Sequence, residues 1–382
     1  MIPYGRQDIR QEDVDAVVEV LQSDFLTQGP AVPAFEAAVA KATGAAHAVA
    51  VNSATSALHI ACAALDLGPG DTLWTSPNTF VASANCARYC GAAVDFVDTD
   101  PVTANLCPGR LEDKLRKADR AGQLPKVIVP VHLTGLSCDM AAIGALARKY
   151  GVRVIEDASH AIGGRYGDKA VGACEHSDIA VFSYHPVKIV TSGEGGTAVT
   201  QDVALAHRMA RLRSHGITRD TAEMTHPPDG PWYYQMIELG WNYRITDLCA
   251  ALGHAQMARL DDYVARRNTL ADRYDRLLGD LPVTLPGRSD GVLSAWHLYV
   301  VRVDAGRHRE IFEGLRARGI GVNLHYIPVH LQPYYRALGF APGDFPEAER
   351  YYTEAISIPL YPAMTEAMQD EVVGALAAEL TS

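Results

Sequence analysis

Short apolar runs alternate with helix-like stretches from about residue 45 to residue 200 of the chain. The runs are rich in β-branched side chains, which is typical of strands buried on both faces, and the stretches between them can form crossover helices. This order predicts a sheet of parallel strands with helices on both sides, a three-layer αβα domain. The predicted strands are AAHAVAVN, TLWTS, AAVDFVD, KVIVPVH, VRVIEDA and IAVFSYH.

The pattern changes past residue 245. The helix-periodic segment ARLDDYVARRNTLADRYDRLL is followed by a strand-like SAWHLYVVRVD, a helix HREIFEGLRARG and a strand GVNLHYI. Strands and helices without strict alternation indicate a smaller α+β domain. We therefore predict a large domain over residues 1–250, which includes an N-terminal segment, and a small C-terminal domain over residues 251–382.

Composition narrows the class of partner. The net charge of -11 argues against a nucleic-acid partner or an anionic membrane, because both call for a basic face. The N-terminus MIPYGRQDIRQEDV lacks the features of a signal peptide, and no apolar run is long enough to span a membrane, so we expect a cytoplasmic location. The seven cysteines contain no CxxC pair, which suits a reducing compartment and predicts no metal site.

The motifs of the common α/β enzymes are missing. No GxGxxG opens a helix after a strand, so a nicotinamide-dependent oxidoreductase is disfavoured. There is also no Walker lysine, no HExxH and no GxSxG elbow.

Two stretches place polar groups where predicted strands end. In VNSATSAL a helix begins at once after a strand, so the backbone N–H groups of Ala54 and Thr55 could hold a phosphate. In VRVIEDASHAIG the strand delivers Asp157, which could keep a ring nitrogen protonated, and His160 could reach the same ring. Taken alone, these residues have ordinary explanations as helix caps or as a histidine without a special role.

A lysine and an aromatic ring complete the pattern. Lys188 follows IAVFSYH, and in an apolar pocket its neutral amine could form a Schiff base with an aldehyde. The glycines of GEGG would let the backbone pass close to a ligand. Phe80 follows TLWTSP and could stack on a flat cofactor. Alone, Lys188 could be a snorkelling surface lysine and Phe80 a core residue, but the four features together indicate pyridoxal 5′-phosphate.

These motifs also carry a family resemblance. VNSATSAL, SPNTFVAS, VIEDASHAIG, VFSYHPVKIVTSGEGG, RSHGI and LGWNYRITDLCAALG occur in the order of the fold-type I sugar-nucleotide aminotransferases, over nearly the whole chain. More narrowly, MIPYGRQDIRQEDVDAVVEVL, SDFLTQGP, HGITRD and DGPWYY resemble the aminotransferases of pseudaminic acid biosynthesis. The resemblance implies the pyridoxal-phosphate-dependent transferase fold of type I.

The resemblance also implies roles for individual residues. Lys188 would bind the cofactor aldehyde covalently, Asp157 would face the pyridine nitrogen, Phe80 would stack on the ring, and His160 would lie near the 3′-oxygen. The implied phosphate ligands are Ala54, Thr55, Ser183 and, from the neighbouring subunit of a homodimer, Asn242. The implied substrate residues are Tyr4, Asp24, Phe25, Leu26, Thr27, His185, Asn323, Leu324, His325 and Tyr326.

The implied reaction moves the amino group of L-glutamate to C4 of a UDP-linked 4-keto-6-deoxy-N-acetylhexosamine. An aminotransferase for another nucleotide-linked ketosugar is the alternative in the same class. A silent regulatory protein on this fold would be expected to lose Lys188 or Asp157, and the chain has both.

Overall fold

The computed structural model describes residues 1–381. Its helices are α1 (Gln11–Leu21), α2 (Ala31–Thr43), α3 (Ala54–Ala64), α4 (Ala82–Tyr89), α5 (Pro108–Ala121), α6 (Met140–Tyr150), α7 (Val203–Leu212), α8 (Asp247–Met257), α9 (Leu260–Leu278), α10 (His308–Ala317), α11 (Pro333–Arg336), α12 (Pro346–Glu354) and α13 (Glu366–Thr381). Its strands are β1 (His47–Val51), β2 (Thr72–Thr75), β3 (Ala93–Phe96), β4 (Val127–Val129), β5 (Arg153–Asp157), β6 (Arg165–Tyr166), β7 (Lys169–Ala170), β8 (Ile179–Ser183), β9 (Gly196–Thr200), β10 (Ile217–Thr218), β11 (Gln235–Met236), β12 (Val292–Leu293), β13 (Tyr299–Arg302) and β14 (Ala355–Ile358).

The central sheet has seven strands in the order β1-β9-β8-β5-β4-β2-β3. The six strands predicted from the sequence are present and share one direction, while β9 pairs antiparallel with both β1 and β8. The sequence predicts only a glycine-rich turn at residues 193–196 and does not predict β9. This strand reverses direction because the connection from β8 contains no crossover helix.

Alternating side chains of the strands point into two different cores, one on each face of the sheet. Val181 of β8 packs with α3, α4 and α7 on one face, whereas Ala180 and Phe182 pack with α2, α8 and the start of α9 on the other. Helices α5 and α6 extend that second layer over β2, β4 and β5. Successive residues of a strand point to opposite faces, so a sheet buried on both sides must be apolar at nearly every position. The predicted three-layer αβα arrangement is confirmed.

The C-terminal part has its own apolar cluster. The antiparallel pair β13 and β14 packs with α10, α13 and the second half of α9. The predicted boundary between residues 250 and 251 falls inside α8, and α9 contributes Val264 to the large core and Leu270 to the C-terminal cluster. The division into two domains stays a prediction. Across residues 1–381, no helix is both long and apolar enough to cross a membrane.

The strand predicted over GVNLHYI is wrong for most of its length. Asn323 alone pairs there, in an isolated antiparallel bridge with Ser357. The side-chain oxygen of Asn323 then accepts the N–H of Leu324 at 2.8 Å, so the backbone donor is satisfied locally instead of by a second strand. The residues that follow leave the pairing and reach the cavity described next.

Candidate active site

A cavity of about 700 Å³ lies at the carboxyl edge of the parallel strands. Its walls come from the start of α3, the ends of β5 and β8, the connection between β8 and β9, and the C-terminal part. The residues that line it include Tyr4, Ala54, Thr55, Phe80, Asp157, Ser159, His160, Ser183, His185, Lys188, His297, His325 and Tyr326. The carboxyl edge is where open α/β sheets bind ligands.

The start of α3 gives the cavity free backbone donors. The Ser53 side chain caps the helix by accepting the N–H of Ser56 at 3.2 Å, which leaves the first-turn N–H groups of Ala54 and Thr55 beside the cavity. Gly196 of β9 passes so close that a Cβ built on it would lie 2.5 Å from the nitrogen of Ala54. The last glycine of GEGG is therefore needed for the contact between β9 and the start of α3.

Ser183 joins this region as predicted. It is the last residue of β8, it is buried, and it pairs in register with Gly196. With Ala54 and Thr55 it borders one end of the cavity, where backbone N–H groups and the positive end of α3 suit a phosphate.

Asp157 ends β5 and is only 5% exposed. Its Oδ2 accepts the hydroxyl of Ser83 at 2.6 Å, and its Oδ1 accepts both the N–H and the hydroxyl of Ser159, at 3.1 and 2.5 Å. Hydroxyl and amide donors of this kind stabilise a buried carboxylate. The next element is β6, so the explanation of Asp157 as a helix cap is wrong.

Lys188 lies in the connection between β8 and β9, with its backbone N–H donating to the carbonyl of His185 at 2.9 Å. Removal from water lowers the pKa of Lys188 to about 8, although the carboxylate of Asp157 acts in the opposite direction. Roughly a tenth of the amine is then neutral at pH 7, against well under a thousandth for an ordinary lysine. His185 is exposed and also lines the cavity.

Phe80 is 57% exposed and lines the cavity, so it is not the core residue that composition alone would suggest. Its ring centroid is 6.1 Å from that of Tyr326, and the two rings are tilted by 54°. A large apolar ring left open at the cavity is available to stack on a flat ligand.

His160 is buried and engaged at both ring nitrogens. Its Nδ1 accepts the backbone N–H of Thr134 at 3.2 Å, and its Nε2 lies 3.1 Å from the hydroxyl of Tyr326. Burial, and then the charge of Lys188, hold the pKa of His160 well below its usual range. His160 is therefore neutral, and its predicted contact with a cofactor 3′-oxygen stays a prediction.

The C-terminal part supplies His325 and Tyr326 of the predicted substrate segment, whereas Asn323 and Leu324 do not line the cavity. The hydroxyl of Ser357 is 2.8 Å from Nδ1 of His325, and burial lowers the pKa of His325 to about 3. Tyr4 lines the cavity as predicted, with its ring centroid 5.5 Å from that of His325.

Besides Asn323 and Leu324, five predicted residues lie outside the cavity of their own chain. They are Asp24, Phe25, Leu26, Thr27 and Asn242. Residues 24–27 are held to the start of α8, where the carbonyl of Leu26 accepts the N–H of Asp247 at 3.0 Å. Phe25 is 53% exposed, and Asn242 is exposed and bridged to Ser214.

Sequence reasoning missed His297, Ser83 and Ser159. His297 lines the cavity although it is only 4% exposed, and its ring centroid is 4.4 Å from that of His160. A histidine inside the apolar run SAWHLYVV was a usable signal. The serine two residues after Asp157 was another, because an aspartate commonly accepts that N–H in a turn.

Comparison with known proteins decides the family. Residues 7–377 match the DegT/DnrJ/EryC1/StrS aminotransferase family. The chain belongs to this family. It is 40% identical over 382 residues to the spore coat polysaccharide biosynthesis protein SpsC of Bacillus subtilis. The alignment covers 98% of this chain and 96% of the relative.

Solved structures agree with the family. Spr1654 of Streptococcus pneumoniae in its PMP form superimposes with a TM-score of 0.92 at 27% identity, covering 100% of this chain and 99% of that chain, and Spr1654 is also known in a PLP form. Helicobacter pylori PseC, an aminotransferase of pseudaminic acid biosynthesis, superimposes with a TM-score of 0.91 at 29% identity, covering 100% of this chain and 99% of that chain. The predicted fold type I, sugar aminotransferase class and pyridoxal phosphate cofactor are confirmed.

Proposed function

We propose that the protein transfers the amino group of L-glutamate to C4 of a UDP-linked 4-keto-6-deoxy-N-acetylhexosamine, in pseudaminic acid biosynthesis. The observation that carries the transamination chemistry is that Lys188 and Asp157 line one cavity, with the pKa of Lys188 lowered to about 8. The likeness to PseC supports the choice of sugar, and Tyr4, His325 and Tyr326 stand at the cavity where the family resemblance puts the substrate.

The cavity residues fit the cofactor and divide its binding between them. The N–H groups of Ala54 and Thr55 would hold the phosphate, Phe80 would stack on the ring, and Asp157 would face the ring nitrogen. Bound pyridoxal phosphate supplies an aldehyde that accepts amino groups and a ring that takes up negative charge from the reacting carbon.

Lys188 performs the proton transfers in this proposal. Its neutral amine takes the proton from Cα of the amino donor, and it delivers a proton to C4 of the sugar that receives the amino group. Ser83 and Ser159 donate hydrogen bonds to the Asp157 carboxylate and fix its orientation, so that it could hold a proton on the facing ring nitrogen. One amino group is carried between two substrates at one site, so the kinetics should be ping-pong.

The alternative is amination of another nucleotide-linked ketosugar. It is favoured by the higher identity to SpsC, 40%, than to PseC, 29%. A direct test offers the enzyme L-glutamate with a panel of UDP-, GDP- and dTDP-linked 4-ketosugars, and identifies products by mass and NMR. We expect a 4-amino product from the UDP-linked N-acetyl sugar. Turnover of only a GDP- or dTDP-linked sugar would favour the alternative, and no turnover of any sugar would refute the substrate class.

We further propose a homodimer in which Asn242 and residues 24–27 complete the cavity of the neighbouring subunit. This accounts for why Phe25 and Asn242 are exposed and lie away from the cavity of their own chain. Subunits that carry Asn242→Ala and Lys188→Ala, co-expressed with different tags, should form mixed dimers with one doubly altered site and one intact site. Activity should return on mixing, and its failure to return in purified mixed dimers would contradict shared sites.

A further inference from the structure

The turn at Thr134 and Gly135 fixes the position of His160. Both residues have positive φ, 63° and 107°, and a Cβ on Gly135 would lie 2.7 Å from the nitrogen of Trp296 and 2.9 Å from the carbonyl of His160. The turn bonds to the C-terminal part through Ala295 N–H to the Gly135 carbonyl at 3.0 Å. The backbone around His160 is therefore closely packed on two sides.

The same turn decides which nitrogen of His160 carries the proton. The backbone N–H of Thr134 can only donate, and it points to Nδ1 at 3.2 Å. A neutral imidazole that accepts at Nδ1 carries its proton on Nε2. The Nε2–H therefore donates to the hydroxyl oxygen of Tyr326, 3.1 Å away.

The direction of these two hydrogen bonds leaves the hydroxyl hydrogen of Tyr326 free to point into the cavity. The hydroxyl oxygen of Tyr326 accepts from His160, so its own hydrogen must point elsewhere. Burial, and then the charge of Asp157, raise the pKa of Tyr326, so the hydroxyl stays protonated over the working range. Tyr326 lines the cavity, and no protein acceptor for its hydrogen appears among residues 1–381.

We propose that Tyr326 is a directed hydrogen-bond donor to a neutral oxygen of the ketosugar, a hydroxyl or carbonyl, and that His160 is the positioning residue that sets this direction. A neutral oxygen is favoured over a carboxylate because, of the residues in 1–381 that line the cavity, none is arginine and Lys188 is the only lysine. His297, 4.4 Å from His160 by ring centroids, packs beside this pair. The inference rests on the proposed function, because it takes the acceptor substrate to be a sugar.

A double-mutant cycle on the holoenzyme tests whether His160 directs the hydroxyl of Tyr326. Tyr326→Phe should raise the KM for the ketosugar by about fivefold to tenfold and leave the half-reaction with glutamate unchanged. His160→Met should raise the same KM by a similar factor. His160→Gln offers one acceptor and one donor, as neutral histidine does, and should stay within about twofold of wild type. The double variant His160→Met/Tyr326→Phe should be no worse than Tyr326→Phe alone.

Two further measurements separate positioning from a structural role. Visible absorbance and Tm should show that each variant keeps its cofactor and its fold, with His254→Met on α8 as the control histidine. In protein labelled with ¹⁵N-histidine, the His160 signal should show the proton on Nε2. A proton on Nδ1, an additive double variant, or His160→Gln as poor as His160→Met would overturn the proposal.

The sugar-binding part can be tested without turnover. Calorimetric titration of the holoenzyme with UDP-N-acetylglucosamine should give a Kd that Tyr326→Phe weakens by about fivefold to tenfold. If wild type aminates no ketosugar of the panel yet shows this difference, the proposed reaction fails and the donor assignment stands. If ketosugars are aminated and Tyr326→Phe changes neither Kd nor KM, the donor assignment fails alone.

Discussion

The two walls of the cavity hold polar groups of different kinds. The strand-edge wall, made of Ala54, Asp157, Ser183 and Lys188, contains a carboxylate, a lysine and free backbone N–H groups. The C-terminal wall, made of His297, His325 and Tyr326, contains rings whose environment keeps them neutral. Burial holds the pKa of His297 well below its usual range and lowers that of His325 to about 3.

This difference matches the two parts of the proposed reaction. A phosphate, a protonated ring nitrogen and a proton in transfer are stabilised by charged groups and by backbone N–H groups. The strand-edge wall supplies these groups from the ends of a rigid sheet. A sugar offers neutral oxygens, which need directed donors and no net charge. A substitution in one wall therefore tests whether the other wall still functions.

The largest effect is expected from Lys188→Ala. Loss of the proton-transferring amine should lower turnover by roughly 10³-fold or more and abolish the visible absorbance of the bound cofactor. Binding of UDP-N-acetylglucosamine, which we propose depends on the C-terminal wall, should change far less. Lys117→Ala on the exposed face of α5 serves as the control. A variant that stays coloured and active would end the assignment of Lys188.

Asp157→Asn should have the next largest effect. It keeps the shape of the side chain and an acceptor for Ser83 but removes the charge, so both half-reactions should slow by roughly 10²-fold while cofactor is retained. Stopped-flow absorbance can follow each half-reaction separately. Asp168→Asn, an exposed aspartate, is the control. Unchanged rates would remove Asp157 from the mechanism.

The lowered pKa of Lys188 predicts a pH dependence. Only the neutral amine attacks an aldehyde, so the rate at which apoprotein takes up pyridoxal phosphate should rise by about tenfold between pH 7 and pH 9, with its midpoint at about 8, and level off above about pH 9. A lysine at its ordinary pKa would give a rise of about a hundredfold with no plateau. Because the Asp157 carboxylate raises this pKa, Asp157→Asn should move the midpoint to lower pH.

The strand-edge wall could be predicted from sequence because local rules determine it. Asp157 and Lys188 follow apolar runs that had to be parallel strands, and the carboxyl ends of parallel strands meet at one edge. Ala54 and Thr55 begin a helix directly after a strand. Each of these positions depends on a few neighbouring residues and on one known property of the fold.

The C-terminal wall depended on packing between distant residues. His160 meets Thr134 and Tyr326 across 26 and 166 positions of the chain, and nothing local to any of them specifies the contact. The strand predicted over GVNLHYI was wrong because Asn323 satisfies its neighbour locally, and β9 was missed because glycines mark its start. Asn242 could be found as a motif, but it lies outside the cavity of its own chain, and its place in a neighbouring subunit's cavity stays a prediction.

The smallest effect is expected from Ser83→Ala, and it tests how the charge of the strand-edge wall is maintained. Ser83 donates to Oδ2 of Asp157 at 2.6 Å, while the N–H and the hydroxyl of Ser159 donate to Oδ1. Two donors therefore remain on the carboxylate, and the loss should be roughly threefold to tenfold in the rate of each half-reaction. Ser137→Ala removes another buried serine, which donates elsewhere, to the carbonyl of Cys138, and should leave these rates unchanged. If Ser83 acts only by stabilising the carboxylate, adding Ser83→Ala to Asp157→Asn should slow the half-reactions no further. A further loss in that double variant would show instead that Ser83 acts through its place in α4 and not through the carboxylate of Asp157.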